Sequence, residues 1–372
     1  LGLPENSDVT IERTPSPKSI NALRSKLNGT ELSLDGMHTV IRDIAEDRYT
    51  EKEIAAFLVA ASQNLTINEV QSLTRARAEF AHRFDWGQDL VVDKHSMGGI
   101  PGSRITMIVI PIVAAHGLLI PKTSSRAITS AAGTADAMET VARVELTPDE
   151  VQQTVRESNG CIAWNGRLNH SSIDDVMNSI TRPLGIDSTK WAVASILSKK
   201  LAAGATHTII DIPVGPYTKV QQGREGRELS RLFEEVGAGV GMTVIARVTD
   251  GSRPIGRGIG PALEVRDVYK VLENAPDAPQ DLREKALGFA ASILEWDPEV
   301  SRGRGRGLAA KILQTGQALK SLESIIDAQG RRATGPAPTA PRVQPHPNPG
   351  HRCVFAGKGS GEGLSLCRGE AN

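Results

Sequence analysis

The stretch Val92-Asp-Lys-His-Ser-Met-Gly-Gly-Ile-Pro-Gly102 places a lysine, a hydroxyl and three glycines directly after a short apolar run. A strand end, a Gly-rich turn and a helix start form a ready anion site. Backbone N–H groups point outward, the helix dipole favours negative charge, and glycine lets the backbone approach the ligand. Lys94 adds a point charge and Ser96 a hydroxyl. The spacing differs from a Walker A loop, which ends in Gly-Lys-Ser/Thr. Spacing alone also allows a tight structural turn bearing a surface lysine. A second stretch, Ile120 to Asp136, offers Thr123, Ser124, Ser125, Thr129, Ser130 and Thr134 with Arg126 among them. Hydroxyls beside a fork-shaped guanidinium suit phosphate or ribose oxygens. The alternative is a Ser/Thr-rich capping loop before a helix at Ala135.

The surrounding pattern supplies elements to hold these groups. Ser19 to Leu27, Leu34 to Ala45, Glu51 to Ser62 and Ile67 to His82 carry apolar residues at three- and four-residue spacing, which predicts helices. Ser33, Thr50 and Thr66 stand at N-cap positions, and Glu53 and Glu69 lie three beyond the latter two, as in capping boxes. Asp89–Asp93, His207–Pro213 and Met242–Val248 read as strands. Helices near Arg104, Ala192–Ala203 and Gly226–Val236 alternate with them, which predicts an α/β domain beside a small helical module. Leu263–Leu272, Pro279–Leu294 and Leu308–Ile326 complete the helices. Gly237-Ala-Gly-Val-Gly241 follows a helix rather than a strand, so it reads as a helix end and not a dinucleotide fingerprint. From Gln329 onward six prolines and a Gly/Arg-rich end replace any apolar period, which predicts a disordered tail. His346, His351 and Cys353 match no zinc module.

Composition narrows the function classes. Lys plus Arg equals Asp plus Glu, at 43 each, so no general field draws nucleic acid or an anionic membrane. Aromatics at 3 % supply no base-stacking platform. Three cysteines imply no disulfide framework and fit a reducing, cytoplasmic setting. Ile105 to Ile120, interrupted by Pro111, His116 and Gly117, is too short to span a bilayer and reads as a buried core helix.

Taken together, the two stretches resemble the thymidine phosphorylase and AMP phosphorylase family. The resemblance rests on Lys94-His95-Ser96-Met97-Gly98-Gly99, Ser124-Ser125-Arg126 and Gly133-Thr134, in family order. It continues through Ala194–Gly204, Asp211-Ile-Pro-Val-Gly215 and Gly256–Val265, and covers roughly residues 17–328. It implies a type II nucleoside phosphorylase architecture: a mixed or parallel sheet flanked by helices, with a separate all-helical domain. The corresponding partition is 1–85 helical, 86–160 α/β with the phosphate loops, 161–204 back to the helical domain, 205–328 α/β again, and 329–372 a disordered or aberrant tail.

The resemblance also implies roles. Lys94, Ser96, Gly99, Thr106, Ser124 and Thr134 bind the attacking phosphate. Ser125, Arg126, Ala127, Ile128, Thr129 and Ser130, together with Lys219, hold nucleoside or nucleotide oxygens. Ser195 and Lys199, four apart on one helix, address the base, and domain closure brings base and phosphate together. Asp187 is the proton donor, and His95 takes part in proton transfer. Phosphorolysis passes through an oxocarbenium-like sugar and needs no metal or organic cofactor. The implied partners are inorganic phosphate, a nucleoside or nucleoside monophosphate, and a second copy in a homodimer. Met97, Pro101 and the segment Ser125–Ser130 depart from the typical thymidine enzyme and look more like AMP phosphorylases and the long bacterial branch. That branch carries further N- and C-terminal domains, which this chain is expected to lack. The expected reaction is thymidine plus phosphate to thymine and 2-deoxy-α-D-ribose 1-phosphate. Release of adenine from AMP, giving ribose 1,5-bisphosphate, is the rival, and a non-catalytic binding remnant is the second. A phosphoribosyl-pyrophosphate-dependent anthranilate transferase shares the general fold but lacks the Lys-His-Ser motif.

Overall fold

The computed structural model describes residues 15–126, 132–168, 172–181, 183, 185–186 and 188–332. Four helices open the chain: α1 (Ile20–Leu27), α2 (Leu34–Ala45), α3 (Glu51–Asn64) and α4 (Ile67–Glu79). Then come β1 (Val92–Ser96), α5 (Thr106–His116), β2 (Ile120–Ser124), α6 (Thr134–Glu139), α7 (Pro148–Ser158) and β3 (Gly160–Trp164). Helices α8 (Ser172–Thr181) and α9 (Thr189–Ala202) precede β4 (His207–Val214), α10 (Gly223–Gly239) and β5 (Thr243–Asp250). The series ends with α11 (Pro261–Leu272), α12 (Gln280–Leu294), α13 (Gly305–Gln314) and α14 (Gln317–Gln329).

The chain divides into two compact units. One comprises residues 1–81 and 171–198, the other residues 82–170 and 199–372. Among the described residues the first holds helices and no strand. Its helices start where the capping residues stand: Thr50 with Glu53 and Thr66 with Glu69 form complete capping boxes, and Ser33 accepts from the Gly36 amide. Glu69 does more than cap. It receives two of the three hydrogen bonds of the buried Lys26 ammonium, each at 2.7 Å, and the Leu32 amide at 2.8 Å, while the third lysine bond goes to the Asn64 carbonyl at 2.8 Å. A buried pair satisfied on every side fastens α1 to α4, whereas removal of one partner would strand a charge. Met37, Val40, Ile41, Phe57 and Leu73 are buried apolar residues of the same unit.

The second unit is α/β. Strands β1, β4 and β5 pair in parallel in the order β1-β4-β5, and β2 pairs in parallel with β3. A parallel bridge between Val91 and Leu119 joins the two sets just before β1 and β2 begin. All five strands therefore run the same way, with helices around them. Buried strands of this kind read as continuous apolar runs, as Thr208–Ile212 does apart from Asp211. The core sits between the sheet and α5, whose residues Thr106 to Ala114 are all buried, and extends through α11 to α14.

Several boundaries differ from the sequence-based expectation. The first strand runs over Val92–Ser96 rather than Asp89–Asp93, because Val92–Ser96 pair with His207–Asp211. The expected helix Leu308–Ile326 is two helices, broken at Gly316, which adopts a left-handed φ of 73°. Residues 161–168 stay with the α/β unit instead of returning to the helical one, since Cys161, Ile162 and Ala163 are buried on β3, which pairs with β2. The order of the fold also continues through Arg332, past the expected tail start at 329. Gln329 is buried, its amide donates to the carbonyls of Arg143 (2.6 Å) and Ile162 (3.1 Å), and its oxygen accepts from the Ile162 amide (2.7 Å). Residues 333–372, with His346, His351 and Cys353, lie outside the described residues. No described helix is long and apolar enough to cross a membrane.

Candidate active site

In open parallel α/β sheets, ligands bind beyond the carboxyl ends of the strands. Ser96 ends β1 and Ser124 ends β2, each five residues beyond the Val91–Leu119 bridge, so both hydroxyls stand at that edge. Asp211 pairs in register with Ser96 on the neighbouring β4.

Lys94 is fully buried on β1. Its ammonium donates to Thr106 Oγ1 at 3.1 Å, at the start of α5, and lies 5.6 Å from the centre of the Phe289 ring. No carboxylate pairs with it among the described residues. Burial pushes it down to about 7, Lys285 and Arg104 push the same way, and Asp211 and Asp93 oppose them. Desolvation without a paired carboxylate disfavours the charged form of this ammonium. The loop that follows allows close approach. Gly98, Gly99 and Gly102 all have left-handed φ, and a Cβ on Gly102 would fall 2.1 Å from the Ile255 carbonyl oxygen.

Ser96 donates to Asp211 Oδ2 at 3.0 Å. Asp211 also accepts from Thr249 at 2.6 Å and pairs with Lys285 at 3.1 Å. Thr134 is the first residue of α6, and its hydroxyl accepts from Arg104 at 3.1 Å. Arg104 also donates to the Ala132 carbonyl and pairs with Glu264. Thr134 is thereby tied to the segment that leads into Thr106. Beside Lys94, Asp93 accepts from Lys200 at 2.5 Å and faces Lys122 at 3.7 Å. Burial holds Lys122 well below the ordinary lysine range, and the neighbouring lysines add to the effect. His95 is partly buried among Lys122, Lys200, Lys94 and Lys199. Desolvation and then these cations hold it well below 6.5, so its imidazole is neutral at neutral pH.

The structure thus brings Lys94, Ser96 and Thr106 together around one loop, with Ser124 and Thr134 on adjoining elements. Gly99 packs on Thr218 and the Lys219 amide, which places the exposed Lys219 beside the same loop. Ser125 is partly exposed and its carbonyl accepts from Ser124. Arg126 is engaged by carboxylates: it pairs with Glu139, with Glu145 at 3.0 Å and with Asp136 at 3.4 Å, and lies over Trp164 at 4.9 Å. Ala127, Ile128, Thr129, Ser130 and Asp187 lie outside the described residues. Ser195 belongs to the helical unit, where it donates to both oxygens of Asp174 at 2.9 Å. Lys199, further along α9, is counted with the α/β unit.

Sequence reasoning missed Asp211, Thr249, Lys285, Arg104, Lys122 and Lys200 as parts of this site. The signal for Asp211 was present, since a carboxylate inside the apolar run Thr208–Ile212 demands buried partners. Lys285 sits on a helix with no local motif to mark it, and Lys200 lies within the Ala194–Gly204 block without being singled out there.

Comparison with known proteins agrees with the fold. Residues 20–81 match the model of the glycosyl transferase family helical bundle domain, and residues 88–319 match that of the family's a/b domain. A protein of Azorhizobium caulinodans named "Bifunctional ribose 1,5-bisphosphokinase-thymidine phosphorylase" is 62% identical over 331 residues, covering 89% of this chain and 48% of that protein. A protein of the same name from Cupriavidus pinatubonensis is 60% identical over 333 residues, covering 89% of this chain and 55% of its own length. The chain thus spans about half the length of these relatives. Among solved structures, anthranilate phosphoribosyltransferase from Thermus thermophilus superposes with a TM-score of 0.69 at 17% identity, over 83% of this chain and 99% of that one, which establishes likeness of fold. With a helical bundle, a parallel α/β domain and both family models matched in order, the chain belongs to the glycosyl transferase family.

Proposed function

We propose that this chain catalyses phosphorolysis of a nucleoside, converting thymidine and inorganic phosphate to thymine and 2-deoxy-α-D-ribose 1-phosphate. The observation that carries the reading is Lys94: a buried ammonium with no carboxylate partner among the described residues, set before a loop of left-handed glycines and beside the hydroxyl of Thr106. Phosphate bound there meets Lys94, Ser96 and Thr106, with Ser124 and Thr134 completing its shell and Gly99 leaving room. A phosphate oxygen attacks C1′ as the bond to the base nitrogen breaks, and the fixed loop converts a two-body encounter into a positioned attack. Ser195 and Lys199 address the base. Asp187, on the family resemblance, protonates the departing base, while the neutral His95 stands ready to exchange a proton with phosphate. Arg126 with residues 125–130 and Lys219 holds sugar or nucleotide oxygens, and Arg126 must exchange a carboxylate partner to do so. The chemistry as written uses no cofactor. The enzyme is read as a cytoplasmic homodimer, which light scattering in solution tests.

A second reading, phosphorolysis of AMP to adenine and ribose 1,5-bisphosphate, is favoured by one finding. Two relatives carry a name that joins thymidine phosphorylase to ribose 1,5-bisphosphokinase. A partner activity named for that compound suits a phosphorylase that releases it. The test is release of free base from thymidine, uridine and AMP, each with and without phosphate, beside Lys94→Ala. Phosphate-dependent thymine release, lost in the variant, supports the first reading. Adenine release from AMP selects the second. No release from a folded protein leaves a binding remnant.

A further inference from the structure

Helix α11 carries two buried carboxylates one turn apart, Glu264 and Asp267, each 1 % exposed. Glu264 is held at both oxygens: Oε1 accepts from the Gly260 amide at 3.1 Å, and Oε2 pairs with Arg104 Nε. Arg104 is buried, and its other two nitrogens donate to Thr134 Oγ1 at 3.1 Å and to the Ala132 carbonyl at 2.8 Å. The charge of Arg104 thus has its own carboxylate and protein groups occupy its fork, whereas no carboxylate pairs with Lys94 among the described residues. A guanidinium only donates hydrogen bonds, so the Thr134 oxygen accepts and its single proton is left for another acceptor. Among the described residues Arg104 is the one partner of that hydroxyl. Arg104 also stands two residues before Thr106, the first residue of α5, so one guanidinium joins the segments that carry Thr106 and Thr134. Asp267 accepts the amides of Arg257 at 2.5 Å and Gly258 at 2.7 Å, and the carbonyls of Ile255 and Gly258 abut Gly102, so α11 is fastened to the glycine loop as well.

We propose that Glu264 and Arg104 are positioning residues for the anion site: Glu264 fixes the guanidinium of Arg104, and Arg104 fixes the Thr134 hydroxyl as a donor to phosphate. The proposal rests on the reading above in which Thr134 belongs to the phosphate shell. Arg104 acts here by orientation rather than by charge, since Glu264 already balances it. Lysine cannot replace it, because an ammonium is a point charge without the planar fork that reaches Glu264, Thr134 and Ala132 together. A hydroxyl already turned outward meets the anion without first breaking a bond of its own, which is the form of preorganisation that favours binding.

The experiment measures binding and turnover separately. Calorimetric titration with inorganic phosphate alone reads the site without chemistry, and steady-state kinetics read kcat and the KM of each substrate. Arg104→Lys and Glu264→Gln are each expected to weaken phosphate binding about tenfold and to raise the phosphate KM alike, leaving the nucleoside KM unchanged. Thr134→Val is expected to weaken binding comparably, and Arg104→Lys within Thr134→Val to add little, because the arginine acts through that hydroxyl. Thr134→Ser keeps the hydroxyl and is expected to keep both the affinity and its sensitivity to Arg104→Lys. Losses that add in the double variant, or folded Arg104 and Glu264 variants with wild-type phosphate affinity, would reduce the pair to a structural one and overturn the proposal. Arg104→Lys retains the charge opposite Glu264, so the cycle with Thr134 decides the matter even where Glu264→Gln does not fold. Phosphate binding with the predicted losses but no turnover would sink the enzymatic reading and leave the proposal standing. A wild-type chain that binds no phosphate would overturn both.

Discussion

The Lys94 ammonium lies 3.1 Å from the hydroxyl of Thr106, and among the described residues no carboxylate pairs with it. A buried charge held this way is costly to the folded chain and useful to an anion. Burial brings Lys94 to about 7, against an ordinary value near 10.5. Between these values the unfolded chain holds one more proton at this site than the folded one, so this contribution to stability rises with pH across the interval. Lys94→Met is therefore expected to raise the melting temperature of the ligand-free protein at pH 6. The gain should shrink steadily from pH 7 to pH 10, while phosphate-dependent turnover falls by about a hundredfold or more. Thermal melts across this range check it; a variant less stable than wild type at pH 6 contradicts it.

Phosphate at the same site would restore the proton. Above about pH 7, binding should be accompanied by proton uptake at Lys94, offset in part by the loss of any proton from phosphate itself. Titration calorimetry at pH 8 in two buffers of different ionisation enthalpy measures the net exchange. Its difference between wild type and Lys94→Met isolates the lysine, and a difference of zero contradicts the assignment.

Asp211 gathers Ser96, Thr249 and Lys285, and removing its charge strands a lysine at the edge of the core. Asp211→Asn should destabilise the α/β unit, by up to about 3–5 kcal/mol if the pair behaves as a buried one. It should also raise the phosphate KM, because Ser96 loses its anchor. Denaturant unfolding together with phosphate kinetics reads both effects. A loss of stability with unchanged phosphate KM would separate Ser96 from the phosphate.

Gly102 tests the loop without touching a charge. Its φ of 78° and the 2.1 Å approach of a Cβ to the Ile255 carbonyl oxygen leave no room for a side chain. Gly102→Ala should displace the loop or the 255 segment and weaken phosphate binding by about tenfold or more. Calorimetry with phosphate alone measures it, and wild-type affinity in the variant would show that the loop tolerates the shift.

Gln329 carries the prediction at the end of the fold. Truncation after Ala328 removes three hydrogen bonds to Arg143 and Ile162 and should cost about 2–4 kcal/mol relative to truncation after Arg332, which keeps them. Equal midpoints for the two truncations would contradict this.

Much of the architecture was legible because local chemistry and tertiary structure agreed. Thr50 with Glu53 and Thr66 with Glu69 mark helix starts that the fold uses as such. The apolar run at His207 is the buried strand β4, and the run at Thr243 is β5, of which only Val244 and Ala246 are buried. Strands β2 and β3 were not legible: Ile120–Ser124 contains a proline and a lysine, and Gly160–Trp164 is five residues long, so their pairing is a tertiary fact. The glycine-rich loop after β1 was legible from Lys94, Ser96 and its glycines. Its supporting charges were not, since Arg104, Lys200, Asp211 and Lys285 are scattered over the chain and converge only when the sheet forms. Gly316 broke an expected helix because its left-handed φ outweighed the apolar period on either side.

The most direct test of the central claim follows the phosphorus atom. Phosphorus NMR of the full chain incubated with phosphate and thymidine, or with AMP, should show a sugar 1-phosphate forming in step with free base. Base released without phosphate incorporation, or no release from a folded protein in which Lys94 is intact, would contradict it.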